Sequence, residues 1–134
     1  MFVDASALVA ILTSEREYAA LTERVEGSDR AITSALAIFE TVAAVCRKRS
    51  VAVEIAERDV LEFLRAASIE IVPIGSDEGR AALTAFARFG KGQGHPAQLN
   101  MGDCFAYACA RTHAVPLLFV GNDFPQTDIA AALA

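Results

Sequence analysis

The chain opens on an apolar run, Met1 to Leu12, interrupted only by Ser6 and by one carboxylate, Asp4. Phe2 and Val3 read as a short buried strand and Ala5 to Leu12 as a helix, which places Asp4 at the strand's carboxyl end. Ser14 is the expected cap of a second helix to about Glu26, with Glu15 and Glu17 in its first turn and Tyr18, Leu21 and Val25 on one face. Arg30 to Thr33 reads as a strand. Ser34 caps a third helix that closes on Arg47, Lys48 and Arg49, cations at the end of the dipole that favours them. A fourth helix is expected to open at Ser50, with Ala52, Ile55, Ala56, Val60, Phe63, Leu64 and Ala67 at helical spacing. Ile69 to Ile74 alternates as a strand does. A fifth helix capped by Ser76 follows to Phe89, then a glycine-rich loop from Gly90 to Pro96 that is expected to be mobile. A sixth helix runs from near Gly102 to about His113, a strand from Val115 to Val120, and a last helix from Pro125 to the C-terminus. Strands alternating with helices predict an α/β fold, a mostly parallel sheet covered on both faces.

Size and composition narrow this picture without changing it. A chain of 134 residues fits one domain, residues 1–134, with a real core. Hydrophobic content is 54%, yet no apolar run approaches a membrane span and no basic flank precedes the first one, so a soluble, cytoplasmic protein is expected. Cys46, Cys104 and Cys109 lie in apolar helical patterns without metal-finger spacing and read as small core residues. A net charge of −5 argues against a generic nucleic-acid binder and suits an acidic site that needs cations or a basic protein partner.

Four carboxylates stand apart from the other acids. Asp4 is one. Glu40 is the only charge between Ser34 and Cys46, and Leu36, Ala37, Ala43 and Ala44 are its neighbours at helical spacing. Asp103 is the only charge between Leu99 and Ala110, and Asp123 the only one between Ala114 and Phe124. Each has a local explanation. Asp4 and Asp103 can cap helices, Asp123 can form a turn after Gly121 and Asn122, and Glu40 can pair with Arg47, Lys48, Arg49 or Arg111. One shared cause is more economical. Clustered carboxylates raise one another's pKa unless a cation neutralises them, and oxygen donors without His or Cys suit Mg²⁺ or Mn²⁺.

The residues that carry these acids resemble the PIN-domain ribonucleases, specifically the toxins of VapBC-type toxin–antitoxin systems. The match rests on Phe2-Val3-Asp4-Ala5-Ser6-Ala7-Leu8, on Glu40 within Ala37 to Thr41, on Gly102 to Tyr107, and on Leu117 to Phe124 followed by Thr127-Asp128-Ile129. The resemblance implies an α/β/α sandwich with a central sheet of four to five strands and Mg²⁺- or Mn²⁺-dependent hydrolysis of RNA. Transferred position by position, the acidic quartet is Asp4, Glu40, Asp103 and Asp123. Asn122 and Asp128 are alternatives for the fourth place, and Ser6 is a supporting hydroxyl. The resemblance also implies a VapB-like antitoxin with a basic arm, a homodimer, and a larger toxin–antitoxin assembly in which the antitoxin contacts DNA. Arg47, Lys48, Arg49, Arg88 and Lys91 are candidate cations at the rim. His95 and His113 have no catalytic part.

Other readings fit less well. A haloacid dehalogenase-like phosphatase needs a second acid two residues after the first, where this chain has Ser6. A phosphorelay receiver needs an acidic pair and a late lysine, and neither is present. A noncatalytic binding module on the same fold predicts loss of a quartet position, and all four are retained. A DNA-processing metal-dependent nuclease shares the site chemistry.

Overall fold

A computed structural model describes residues 1–133. Four short strands form one parallel sheet in the order β3-β2-β1-β4: β1 (Phe2–Val3), β2 (Ala31–Ser34), β3 (Ile69–Val72) and β4 (Leu117–Leu118). Phe2 sits opposite Ile32 on one side and Leu117 on the other, while Ala31 to Ser34 align with Ile69 to Val72. The expected sheet is therefore present with four strands, all of them parallel.

Alternation along these strands divides the core in two. Phe2, Ile32 and Leu117 point to one face, beneath α5 (Ser76–Phe89) and α6 (Met101–Thr112). Val3, Ala31, Ile69 and Leu118 point to the other, beneath α1 (Ala5–Leu12), α2 (Tyr18–Glu26), α3 (Ala35–Arg49) and α4 (Val53–Ala66). A parallel sheet needs both faces covered, and this division supplies that cover. Fully burying a side chain such as Phe2 or Leu118 stabilises the fold by roughly 1.5–3 kcal/mol.

Several boundaries move for local reasons. Ser14 does not cap α2. It takes a left-handed φ of 51° in the turn that ends α1, so the second helix starts only at Tyr18 and Glu15 lies in the connection. Tyr18 is 47% exposed, whereas Leu21 and Val25 are buried as expected. Ser50 is likewise a left-handed C-cap of α3 rather than the opening of α4. Gly75, not Ser76, holds the cap position of α5, where its N–H donates to the Glu78 carboxylate at 3.1 Å. Ser34 is the cap it was expected to be, accepting the Ala37 N–H at 3.2 Å. The glycine-rich loop after Phe89 is pinned at its base, where the Leu99 N–H donates to the Phe89 carbonyl and the Lys91 N–H to the Leu99 carbonyl, both at 2.9 Å.

The last helix is the largest departure. Pro125 lies in a single 3₁₀ turn, Phe124–Gln126, and the chain then runs alongside β4, with the Leu117 N–H donating to the Ala130 carbonyl at 2.9 Å. Covering that edge satisfies backbone groups that a helix would have left exposed. Ala134 lies outside the described residues.

Strand order fixes where a site can form. From β1 the chain steps outward to β2 and β3, then returns to place β4 on the other side of β1. The reversal creates a crevice at the carboxyl ends of β1 and β4, the usual ligand position in open parallel sheets.

Candidate active site

Asp4 follows β1 directly into that crevice and is 4% exposed. It does cap α1: its Oδ2 accepts the Ser6 N–H at 3.0 Å and the Ser6 hydroxyl at 2.6 Å. The same hydroxyl oxygen accepts the Val120 N–H at 3.0 Å, which ties the carboxylate to the chain leaving β4. These bonds favour the charged form, yet burial outweighs them and pushes the Asp4 carboxyl above its ordinary range.

Asp103 lies in the first turn of α6 and also caps. Its Oδ2 accepts the Asn100 N–H at 3.1 Å, while the Asn100 side chain accepts the Asp103 N–H at 2.9 Å. A carboxylate that only capped a helix would titrate low. This one is pushed up to about 6, chiefly by burial and then by the charges of Asp4 and Asp123.

Glu40 has no such local role. It is half-buried in α3, more than a turn from either end, and makes no hydrogen bond or ion pair among the described residues. Of the four cations that could have paired with it, three are engaged elsewhere and Arg47 makes no ion pair with it. Lys48 pairs with Glu15, Arg49 holds the Leu12 carbonyl and Asp59, and Arg111 lies over the Tyr107 ring. Burial, with the charges of Asp4 and Asp103, pushes the Glu40 carboxyl up to about 7. Its head group fits against Gly102, where a Cβ would come within 2.1 Å of Oε2.

Asp123 is exposed after Gly121, whose φ of 118° makes the turn one that glycine accommodates without strain. Its charge reaches Asp103. Asn122 beside it is also exposed. Asp128 belongs to a different arrangement: it accepts the Tyr107 hydroxyl at 2.6 Å and pairs with Arg88 at 3.4 Å, contacts that hold its carboxyl below the usual range.

The donor chemistry suits a hard divalent cation, since every group is a carboxylate and Glu40 has no positive neighbour to offset it. Among the described residues no three His, Cys, Asp or Glu side chains close on a common point at coordination distance. Burial first, and then the like charges of the neighbouring acids, raise the Glu40 and Asp103 carboxyls, a cost that a bound cation would relieve.

Residues 1–130 match the model of the PIN domain family. A VapC ribonuclease of Rhizobium meliloti is 44% identical, the match covering 96% of this chain and 98% of that one. The ribonuclease VapC of Mycolicibacterium smegmatis is 42% identical over 98% of both chains, and VapC28 of Mycobacterium tuberculosis 37% identical over 99% and 98%. The chain belongs to the PIN-domain family, in its VapC ribonuclease branch. The crystal structure of Mycobacterium tuberculosis VapC20, a sarcin–ricin loop cleaving toxin, superposes with a TM-score of 0.78 over 99% of this chain and 98% of that one. At 14% identity that likeness speaks for the fold.

Two features of this PIN domain escape inspection of the acids alone. Gly102 is one. A glycine costs about 1 kcal/mol against alanine inside a helix, so its place next to Asp103 was a signal that something approaches the backbone closely. The other is the Tyr107–Asp128–Arg88 cluster, which fastens the segment after Asp123 to α5 and α6. Tyr107, Phe89 and Phe124 are all buried in the core.

Proposed function

We propose that this PIN domain is a divalent-metal-dependent endoribonuclease, the toxin of a type II toxin–antitoxin pair, with Asp4, Glu40, Asp103 and Asp123 as its acidic quartet. The observation that carries the reading is Glu40: an unpartnered, half-buried carboxylate raised by burial and then by the charges of Asp4 and Asp103, in a chain 44% identical to a VapC ribonuclease. A bound Mg²⁺ or Mn²⁺ supplies charge neutralisation at the scissile phosphate and makes water a better nucleophile near neutral pH.

The chain's own residues supply the rest. Ser6 fixes the Asp4 carboxylate by two bonds to one oxygen, so it is oriented before any ligand arrives. Asn100 does the same for Asp103. Glu40, which no donor or cation of the chain holds, is free to take the proton released as water attacks the phosphorus. Asp123 is the fourth member because its charge reaches Asp103, whereas Asp128 is already held by Tyr107 and Arg88.

An acidic crevice in a chain of net charge −5 favours a VapB-like antitoxin whose basic arm enters it. Exposed apolar side chains on α3 and α4, Phe39 at 72%, Val53 at 55% and Ile55 at 42%, suit the helices of such a partner or of a second copy. In the larger assembly, DNA is contacted through the antitoxin. No helix among the described residues is long and apolar enough to cross a membrane.

The test is cleavage of cellular RNA by the purified chain with Mg²⁺, Mn²⁺ or EDTA, beside Asp4→Asn and Asp103→Asn. Metal-dependent cleavage is expected in the parent and a loss of at least about 100-fold in each variant, with unchanged circular dichroism. Either variant at full activity removes that residue from the site, and cutting of DNA in place of RNA favours a DNA-processing nuclease.

A further inference from the structure

A cleft of about 310 Å³ leads away from the carboxylates along the seam of α1 and α3. Its walls are two helical stripes. Glu40, Ala44 and Lys48 follow one another at intervals of four on α3, and Ala5 and Val9 do the same on α1. The small side chains between leave the trough open. Lys48 lies about 12 Å along the helix from Glu40, at a rise of 1.5 Å per residue.

Among the described residues Lys48 is the one cation lining this cleft, and its partner there is Glu15. Both side chains are substantially exposed, at 46% and 33%. A surface pair of this kind is worth about 0–1 kcal/mol, so another anion can replace the carboxylate at little cost. Other cations are held away from the trough: Arg49 by the Leu12 carbonyl and Asp59, Arg88 by Asp128, and Arg30 by Glu70 across β2 and β3. An acidic centre repels a polyanion, so a strand that reaches it needs a nearby positive contact.

We propose that the α1/α3 trough is a substrate subsite in which Lys48 exchanges Glu15 for an RNA phosphate flanking the one cleaved. This rests on the ribonuclease reading. The trough presents small apolar groups and one ammonium, so it contacts backbone rather than reading base edges. Glu15 is then the competing anion that Lys48 releases when substrate arrives.

The experiment compares the parent with Lys48→Ala, Lys48→Glu and Glu15→Gln, using a fluorescein-labelled single-stranded RNA of mixed sequence. Cleavage gives KM and kcat, and anisotropy in an Asp4→Asn background gives Kd across a salt series. Lys48→Glu is expected to raise KM and Kd about tenfold, with kcat changed less than twofold. Lys48→Ala is expected to flatten the slope of log Kd against log salt by about 0.7, the share of one phosphate contact on a single strand. Glu15→Gln, which frees Lys48, is expected to lower Kd two- to threefold. Unchanged KM, Kd and salt slope in both Lys48 variants overturn the subsite. A parent that binds RNA but never cuts it sinks the ribonuclease reading and leaves the Kd series to decide the trough. A parent that neither binds nor cuts sinks both.

Discussion

Two groups of acids within this fold meet opposite fates. Asp128 takes a hydrogen bond from Tyr107 and a guanidinium from Arg88, and Glu15 takes the Lys48 ammonium; both titrate below the ordinary carboxylate range. At the carboxyl edge of the sheet, Asp4, Glu40 and Asp103 receive no cation, lie partly or wholly buried, and titrate above it. The chain has 12 Lys and Arg, enough to pair these acids, yet among the described residues none forms an ion pair with them. A carboxylate that serves the fold alone is matched here with a positive charge. Carboxylates left unmatched beside one another cost stability, and such a cost is usually tolerated for function.

The contrast can be broken most severely at Gly102. A methyl group there overlaps the Glu40 carboxyl, with Cβ distances of 2.1–2.5 Å to all three of its atoms. Gly102→Ala is therefore expected to displace Glu40 and weaken Mn²⁺ binding by 10-fold or more in titration calorimetry, although alanine favours the helix by up to about 1 kcal/mol. Shortening the acid in Gly102→Ala, Glu40→Asp should recover part of that affinity. Unchanged binding in the single variant would show that Glu40 does not depend on the clearance.

Asp128→Ala probes the paired side. It removes the acceptor of the part-buried Tyr107 hydroxyl, so a loss of about 0.5–1.5 kcal/mol in urea denaturation is expected while cleavage persists. Loss of metal binding with stability intact would instead move Asp128 into the site in place of Asp123.

The smallest expected effect concerns pH. For Glu40 and Asp103 the folded state binds protons more tightly than the unfolded chain does. Between the ordinary carboxylate range and about pH 7 the folded state thus holds more protons, and stability falls as pH rises through that window. Glu40→Gln removes one of these groups. In EDTA at pH 7.5 it should melt a few degrees above the parent, equivalent to about 1 kcal/mol once solvent screening of a half-exposed group is allowed for, with the gap closing by pH 5. A large loss of stability would mean that Glu40 serves the fold as an ionised partner.

Much of this was legible in the chain itself, and the reasons differ by element. The β1 strand, α1 and α3 declare themselves because apolar periodicity and the Ser34 cap agree. Asp4, Glu40, Asp103 and Asp123 stand out because each is alone in an apolar stretch. Ser14 and Ser50 misled because serine suits a helix start, yet both are used at left-handed turn positions, where tertiary connection decides the backbone. The segment after Pro125 looked helical because proline suits the first position of a helix, but the open edge of β4 offered backbone partners that no local pattern reveals. The clearance at Gly102 depends on α3 and α6 meeting, and the exchange of Glu15 and Lys48 on α1 and α3 meeting; neither contact is written in local spacing.

The central claim is that Asp4, Glu40 and Asp103 are left unpaired to share a divalent cation. Anomalous diffraction from crystals of the chain grown with saturating Mn²⁺ tests it most directly. The account predicts a peak within coordination distance of carboxylate oxygens from at least Asp4 and Asp103, with Glu40 turned toward it from above Gly102. A map with no peak in that crevice, or one in which these carboxylates each pair with an arginine or lysine of the chain, would contradict it.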